Sequence, residues 1–141
     1  MGSRVRGSGV APRLVLDTGA LIALERDDAR AYQHLITAAQ RGYLVVVPTL
    51  VVLEALEGAR APATVERIVK KIDAEIPLLP AIAHQVPGLK RRSGVESTTD
   101  VVVVLEALAV PGSIILTSDP GDMHRILEEA GAHGRVPVLR V

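Results

Sequence analysis

The chain has no cysteine and almost no aromatic residues. Its 141 residues include two Tyr but no Phe, no Trp and no Cys. The absence of cysteine excludes disulfides, zinc–thiolate sites and thiol nucleophiles, and it fits a reducing cytoplasm. The scarcity of aromatic rings argues against the stacking platforms that bind single-stranded nucleic acid. The core must therefore be built from Val, Leu, Ile and Ala.

The chain also lacks a net charge and a long apolar run. Its 16 basic and 16 acidic residues cancel, so the strongly basic footprint of many nucleic-acid-binding proteins is missing. The longest apolar runs, such as residues 44–47 and 101–105, are far too short to span a membrane, and we expect no membrane partner. Residues 1–12 are basic, rich in Gly and Ser, and contain no apolar signal core. We predict that they form a flexible tail.

The sequence does contain an alternation of short apolar strands and helical segments. Its hydrophobic content of 48% predicts a packed core, and its length suffices for one domain, residues 13–141. We predict strands at residues 13–16, 44–47, 76–79, 113–117 and 136–141. We predict helices at residues 18–25, 29–41, 50–59, 64–72, 81–92 (interrupted at Pro87 and Gly88) and 120–130. This order predicts an α/β protein, a three-layer α/β/α fold with a central parallel sheet of about four to five strands.

Residues 101–110 fit two kinds of secondary structure. Four consecutive valines favour a strand, whereas the sequence from Leu105 to Ala109 favours a helix. Ser97 stands three residues before Asp100, which matches a helical capping box. The capping box makes a helix the preferred interpretation.

Four acidic residues stand where apolar strands or helices would direct them to one region: Asp17, Glu54, Asp100 and Asp119. Structural roles are available to three of them, because Asp17 and Asp119 could cap helices and Asp100 could complete the capping box. Glu54 lies in the apolar helix LVVLEAL, where burial of a carboxylate is costly unless it is paired or bound to metal. Its structural alternative is a position at the edge of the buried stripe, where it reaches water.

The joint pattern of these acids favours a metal site. Ligands of open α/β sheets bind at the carboxyl ends of the strands, and carboxylates gathered there repel one another unless a divalent cation neutralises them. An all-carboxylate site without His or Cys is typical of Mg²⁺ or Mn²⁺ acting on phosphate oxygens. The pattern therefore predicts a metal-dependent nuclease.

The remaining polar residues give weaker signals. The histidines show no ligand spacing, and we expect them at the surface: His34, His84, His124 and His133. The basic run Lys90, Arg91 and Arg92 is interpreted first as a solvated loop and alternatively as a contact for RNA phosphate.

Four motifs resemble those of the PIN domain, and in particular of the VapC-like ribonuclease toxins of bacterial type II toxin–antitoxin systems. They are LVLDTGALIAL, VVPTLVVLEAL, TTDVVVVLEAL and ILTSDPGDM, and the resemblance extends from Arg13 to Val141. It implies a PIN-like fold whose catalytic quartet is Asp17, Glu54, Asp100 and Asp119. Of these, Asp17, Asp100 and Asp119 would bind Mg²⁺, with Mn²⁺ as a substitute. Thr18, Thr117 and Asp122 would be accessory residues.

The resemblance also implies partners. The substrate would be tRNA or rRNA, a cognate antitoxin would block the acidic pocket with a basic side chain, and the protein would form a homodimer. Members of the family often carry an Asp three residues before the third acid, where this chain has Ser97. Glu96 is therefore the alternative third acid.

Two rival functions follow from the sequence. A catalytically silent PIN-like module would bind protein or RNA, and the apolar stretch after Asp100 is the feature that suggests it. A phosphatase with an aspartyl nucleophile usually has a second Asp two residues after the first, where this chain has Gly19.

Overall fold

The computed structural model describes residues 9–141. Most of the predicted tail, residues 1–8, lies outside this range. Pro12, the last residue that we assigned to the tail, already contacts the domain, because its carbonyl oxygen accepts a hydrogen bond from the backbone N–H of Leu44 at 2.9 Å.

The described residues form five strands and eight helices in alternating order. The strands are β1 (Arg13–Leu16), β2 (Leu44–Pro48), β3 (Ala74–Ile76), β4 (Ile114–Thr117) and β5 (Val138–Arg140). The helices are α1 (Thr18–Glu25), α2 (Ala29–Gln40), α3 (Thr49–Gly58), α4 (Pro62–Lys71), α5 (Pro80–Ala83), α6 (Val86–Ser93), α7 (Thr98–Ala109) and α8 (Pro120–Glu129).

The five strands form one parallel sheet in the order β3-β2-β1-β4-β5. The predicted α/β/α architecture and parallel sheet are thereby confirmed. The chain winds outwards in one direction from β1 through β2 and β3, and in the other direction through β4 and β5. The reversal lies between β1 and β4, and the carboxyl ends of the strands at such a reversal form the usual ligand crevice of open α/β sheets.

Helix α7 is the most deeply buried helix and packs on β1, β2 and β4. Seven consecutive residues of this helix, from Val101 to Ala107, are buried. The helical alternative for residues 101–110 is therefore confirmed, and the unusual run of valines belongs to the core. Packing of branched side chains on the sheet and on α8 overrides the strand propensity of valine. Ser97 caps the helix by accepting from the backbone N–H of Asp100 at 3.1 Å.

Most predicted boundaries agree with the structure to within about two residues, but the third strand and the helix at residues 81–92 are misplaced, and both contain proline. The third strand ends at Ile76 and does not extend over residues 76–79, because Pro77 cannot donate to a sheet ladder. The predicted helix at residues 81–92 does break, but at His84 and Gln85. Pro87 lies in the first turn of α6, where its missing N–H needs no intrahelical partner.

The basic run of Lys90, Arg91 and Arg92 also differs from its first interpretation. These residues form the last turn of α6, and Gly94 ends the helix in the left-handed conformation at φ +72°. The run is therefore helical and not a loop. Among the helices of residues 9–141, none is both long and apolar enough to cross a bilayer.

Candidate functional site

The candidate site lies at the carboxyl ends of β1 and β4, where the strand order reverses. Asp17 follows β1 directly and is only 5% exposed. Its Oδ1 accepts from the backbone N–H of Thr18 at 2.6 Å, so it caps α1 as the capping interpretation predicted. Its Oδ2 accepts from the hydroxyl of Thr117 at 2.6 Å. Two donors therefore fix the orientation of this carboxylate.

Thr117 connects the ends of the two strands. Its side chain is fully buried at the end of β4, and besides donating to Asp17 its hydroxyl accepts from the backbone N–H of Asp119 at 2.9 Å. Asp119 occupies the N-cap position of α8 but makes no side-chain cap hydrogen bond. The capping hydrogen bond predicted for the Asp119 side chain is therefore not formed, and its carboxylate is exposed.

A close approach of two backbone segments depends on Gly19. A Cβ atom at this position would lie 2.6 Å from the Cβ of Ser118 and 3.3 Å from its backbone nitrogen. Contacts this short require the chain to shift, so a glycine is needed for the first turn of α1 to reach the segment after β4. This contact places Asp17 beside Asp119.

Glu54 reaches the site from α3 and is exposed, so the expectation that it is buried is wrong and its alternative position, at the edge of the buried stripe and in contact with water, is confirmed. It lies on the outer side of a helix whose buried face is Val51, Val52 and Ala55. Each oxygen of its carboxylate nevertheless accepts a hydrogen bond from a threonine. Oε1 accepts from the hydroxyl of Thr18 at 2.9 Å, and Oε2 accepts from the hydroxyl of Thr99 at 2.6 Å.

Asp100 reaches the same region from the first turn of α7. Its pKa is raised to about 7, first by burial and then by the negative charges of Asp17, Asp122 and Glu54. Glu96, the alternative third acid, is exposed and is not among the charges that act on Asp17 or Asp100. The geometry therefore favours Asp100 as the third acid.

The charges that act on Asp17 and Asp100 are all negative. Burial raises the pKa of Asp17, the hydrogen bonds from Thr117 and Thr18 lower it, and the charges of Glu54 and Asp119 raise it again. Within residues 9–141, none of the four acids forms a salt bridge. The carboxylates are therefore brought together without an internal cation to balance them.

The donor set fits a hard divalent cation in its chemistry. It consists of carboxylate oxygens fixed by hydroxyl and N–H donors, which is the kind of ligand that Mg²⁺ and Mn²⁺ prefer. In the part of the chain that the structure describes, no three acidic or histidine side chains already converge as a coordination set. A bound cation would therefore have to draw the acids closer together.

The other predicted site residues lie at the margin. Asp122 forms a salt bridge with Arg125 at 2.6 Å in the first turn of α8. Lys90 donates from Nζ to the hydroxyl of Thr98 at 3.0 Å, in the same first turn of α7 that carries Asp100. Arg91 and Arg92 are exposed on α6. All four histidines are exposed or half-buried, as predicted: His34, His84, His124 and His133.

Sequence reasoning missed the role of Thr99. This nearly buried residue is directly followed by Asp100, and its hydroxyl links α7 to Glu54 on α3. The available signal was the polar Thr–Thr pair that precedes an entirely apolar helix face. Nothing local in the sequence indicated that its partner would be a residue 45 positions away.

Comparison with protein-family models and with curated proteins gives no significant match. The PIN-domain resemblance therefore stays a prediction that rests on the four motifs and their spacing.

Proposed function

We propose that this protein is a PIN-like, Mg²⁺-dependent endoribonuclease that acts as the toxin of a type II toxin–antitoxin pair. The observation that carries the proposal is the uncompensated acidic group at the strand-order reversal. Four carboxylates from α3, α7 and the segments after β1 and β4 act there without a cation from the described residues, and two of them have a raised pKa. Strongly perturbed acids in such a position are typical of functional sites.

The chain's own residues suggest a division of roles. Asp17, Asp100 and Asp119 would hold the cation, and Thr117 would keep Asp17 oriented towards it. Bound Mg²⁺ would supply charge neutralisation at the attacked phosphate and would lower the pKa of a water molecule. Glu54 would orient that water and accept its proton. Its two oxygens each accept one hydroxyl, and a carboxylate has further lone pairs to receive a third donor.

The same electrostatics support an inhibitory protein partner. An acidic group without a cation attracts a guanidinium, which can bind a carboxylate in bidentate fashion. We therefore propose that a cognate antitoxin blocks the site with a basic side chain. A homodimer and a tRNA or rRNA substrate are further parts of this proposal that follow from the resemblance alone.

A catalytically silent binding module is the second candidate. The observation in its favour is that no three carboxylates of the described residues converge as a ready coordination set. In the sequence, the apolar stretch after Asp100 is the feature that suggests a silent module. This stretch is the buried face of α7, so it needs no functional explanation.

The decisive experiment is cleavage of total RNA by the purified protein in Mg²⁺, in Mn²⁺ and in EDTA. We expect discrete fragments with either metal, none in EDTA, and a loss of at least about 100-fold in the Asp17→Asn variant. Asp28→Asn is the matched control. Asp28 also caps a helix, by accepting from Ala31 N–H at 2.9 Å, and Asn is an equally good cap. Absence of cleavage by folded, metal-loaded protein would move the conclusion to the silent module.

A further inference from the structure

A second concave site, the side cavity, adjoins the acidic group. It has a volume of about 480 Å³ and lies between α5, α6 and α7. Thr98 and Val102, which are one helical turn apart on α7, line it. Thr99 and Asp100, which follow Thr98 directly, belong to the acidic group. The side cavity and the acidic group therefore share the first turn of α7.

The side cavity combines apolar walls with a basic rim. The apolar lining residues are Leu78, Ala83, Val86, Pro87 and Val102. The charged lining residues are Lys90 and Arg91, and no acidic residue of the described chain lines it. Its volume falls within the range of about 300–1,000 Å³ that is usual for small-ligand sites. This lining suits a molecule with an apolar body and an anionic group.

The cations of the rim are available to a ligand. Lys90 donates one hydrogen bond from Nζ to Thr98, and an ammonium group has three donors. In the described residues neither Lys90 nor Arg91 forms a salt bridge. The bond also ties the ammonium group to Thr98, the lining residue that directly precedes Thr99 and Asp100 of the acidic group.

We infer that the side cavity is a nucleotide subsite, which receives the base next to the bond that is cut while Lys90 and Arg91 contact that nucleotide's phosphate. The inference rests on the proposed nuclease function. Because the side cavity and the acidic group share the first turn of α7, an RNA strand whose scissile phosphate lies at the acids can place the neighbouring nucleotide in the cavity. The lining residues are aliphatic or polar, so contact with apolar walls and hydrogen bonds hold the base in place of aromatic stacking.

The first test measures binding without cleavage. The full chain in EDTA is titrated with the four ribonucleoside 5′-monophosphates, with the four ribonucleosides and with inorganic phosphate, and amide NMR shifts are followed. We expect 5′-monophosphates to shift the amide NMR signals of residues that line the side cavity. We also expect them to bind more tightly than nucleosides or inorganic phosphate. Phosphate binding as tight as nucleotide binding, or shifts elsewhere, would overturn the inference.

Three variants give the test its specificity. Ala83→Leu fills the cavity and should weaken nucleotide binding by about 10-fold or more, as steric exclusion from a shaped pocket does. Lys90→Ala removes a phosphate contact and should reduce the salt slope of RNA binding by about 1. Arg41→Ala is the control, because Arg41 is an exposed arginine that does not line this cavity and has no predicted contact with RNA. Equal effects of all three variants would overturn the inference.

The experiments distinguish an error in the nucleotide-subsite inference from an error in the proposed nuclease function. If RNA is cut but Ala83→Leu changes neither nucleotide binding nor the base preference at the cut sites, the subsite is wrong and the nuclease stands. If nucleotides bind in the side cavity but no RNA is cut, the nuclease is wrong and the binding site stands. Leu78 is 42% exposed, so sedimentation of Ala83→Leu is also measured. A change in oligomeric state without nucleotide shifts would assign the cavity to a second copy of the chain and overturn the subsite.

Discussion

A buried carboxylate lies near each end of strand β1. The carboxylate near the amino end is paired with a cation, whereas the one near the carboxyl end has negative neighbours. Near the amino end, Glu106 is 4% exposed, and near the carboxyl end, Asp17 is 5% exposed. Arg13 donates from Nη1 to both the Oε1 and the carbonyl oxygen of Glu106 at 3.2 Å. Asp17 has no cationic partner in the described residues and has negative neighbours instead.

This comparison shows that burial alone does not mark a functional acid. Burial raises the pKa of both Glu106 and Asp17, but Arg13 opposes the shift at Glu106, whereas Glu54 and Asp119 reinforce it at Asp17. The amino end is an internally balanced ion pair, which links β1 to α7. Among the described residues no positive charge balances the carboxyl end, which is why we propose that a cation binds there.

The largest expected effect is at the balanced end. Arg13→Met should destabilise the protein by about 2–3 kcal/mol, because it leaves Glu106 buried without its partner. Arg41→Met is the control, and an exposed arginine without such a pair should change stability by less than about 0.5 kcal/mol. Urea unfolding at pH 7 measures both. Equal unfolding midpoints for the two variants would show that the amino end is not balanced by Arg13.

The next effect tests the contact that assembles the unbalanced end. Gly19→Ala should cost about 2 kcal/mol, because its Cβ overlaps Ser118. It should also reduce RNA cleavage, since Asp119 is displaced. Gly58→Ala is the control, because nothing lies within 4 Å of the added atom. The double variant Gly19→Ala/Ser118→Gly should regain most of the lost stability, and no recovery would contradict the proposed overlap.

A smaller effect of opposite sign is expected at Asp100. Its folded pKa of about 7 lies above the ordinary value of 3.8, so its charged form opposes folding. At about pH 3, below the ordinary value, both states carry the proton and almost no penalty exists. The penalty grows as the pH rises from about 4 and is complete above about 7.

In metal-free protein, Asp100→Asn should therefore leave stability almost unchanged at about pH 3 and increase it at about pH 8. The pKa difference sets a limit of about 4 kcal/mol, and solvent screening at this half-buried group reduces the expected gain to about 1–2 kcal/mol. Thermal or urea unfolding in EDTA at the two pH values measures it. Destabilisation at pH 8 would mean that Asp100 is balanced by a cation after all.

The smallest expected effect concerns the hydroxyl that positions Glu54. Thr99→Val keeps the side-chain volume but removes the donor to Oε2, and it should lower RNA cleavage by about 10-fold, as loss of an orienting partner does in metal sites. Thr99→Ser retains the donor and should keep most of the activity. Equal loss in both variants would assign Thr99 to packing alone.

The sequence predicted the elements that depend on neighbouring residues. The strand-to-helix turn at Asp17, the N-cap position of Asp119 and the capping box at Ser97 all follow from residues close together in the chain. The errors are equally specific. The third strand and the break before α6 were misplaced by a few residues because prolines can begin a helix as well as end a strand, and neighbouring residues do not distinguish these roles.

By itself, then, the sequence determined the α/β order, the apolar core and which residues carry carboxylates. Only the tertiary structure decided that Thr117 orients Asp17 across 100 positions of the chain, that Thr99 fixes an exposed Glu54, and that a basic-rimmed cavity adjoins them. Periodicity and capping act within a few residues. Strand order and the approach of Gly19 to Ser118 depend on how the whole core packs, and that packing places the acids together.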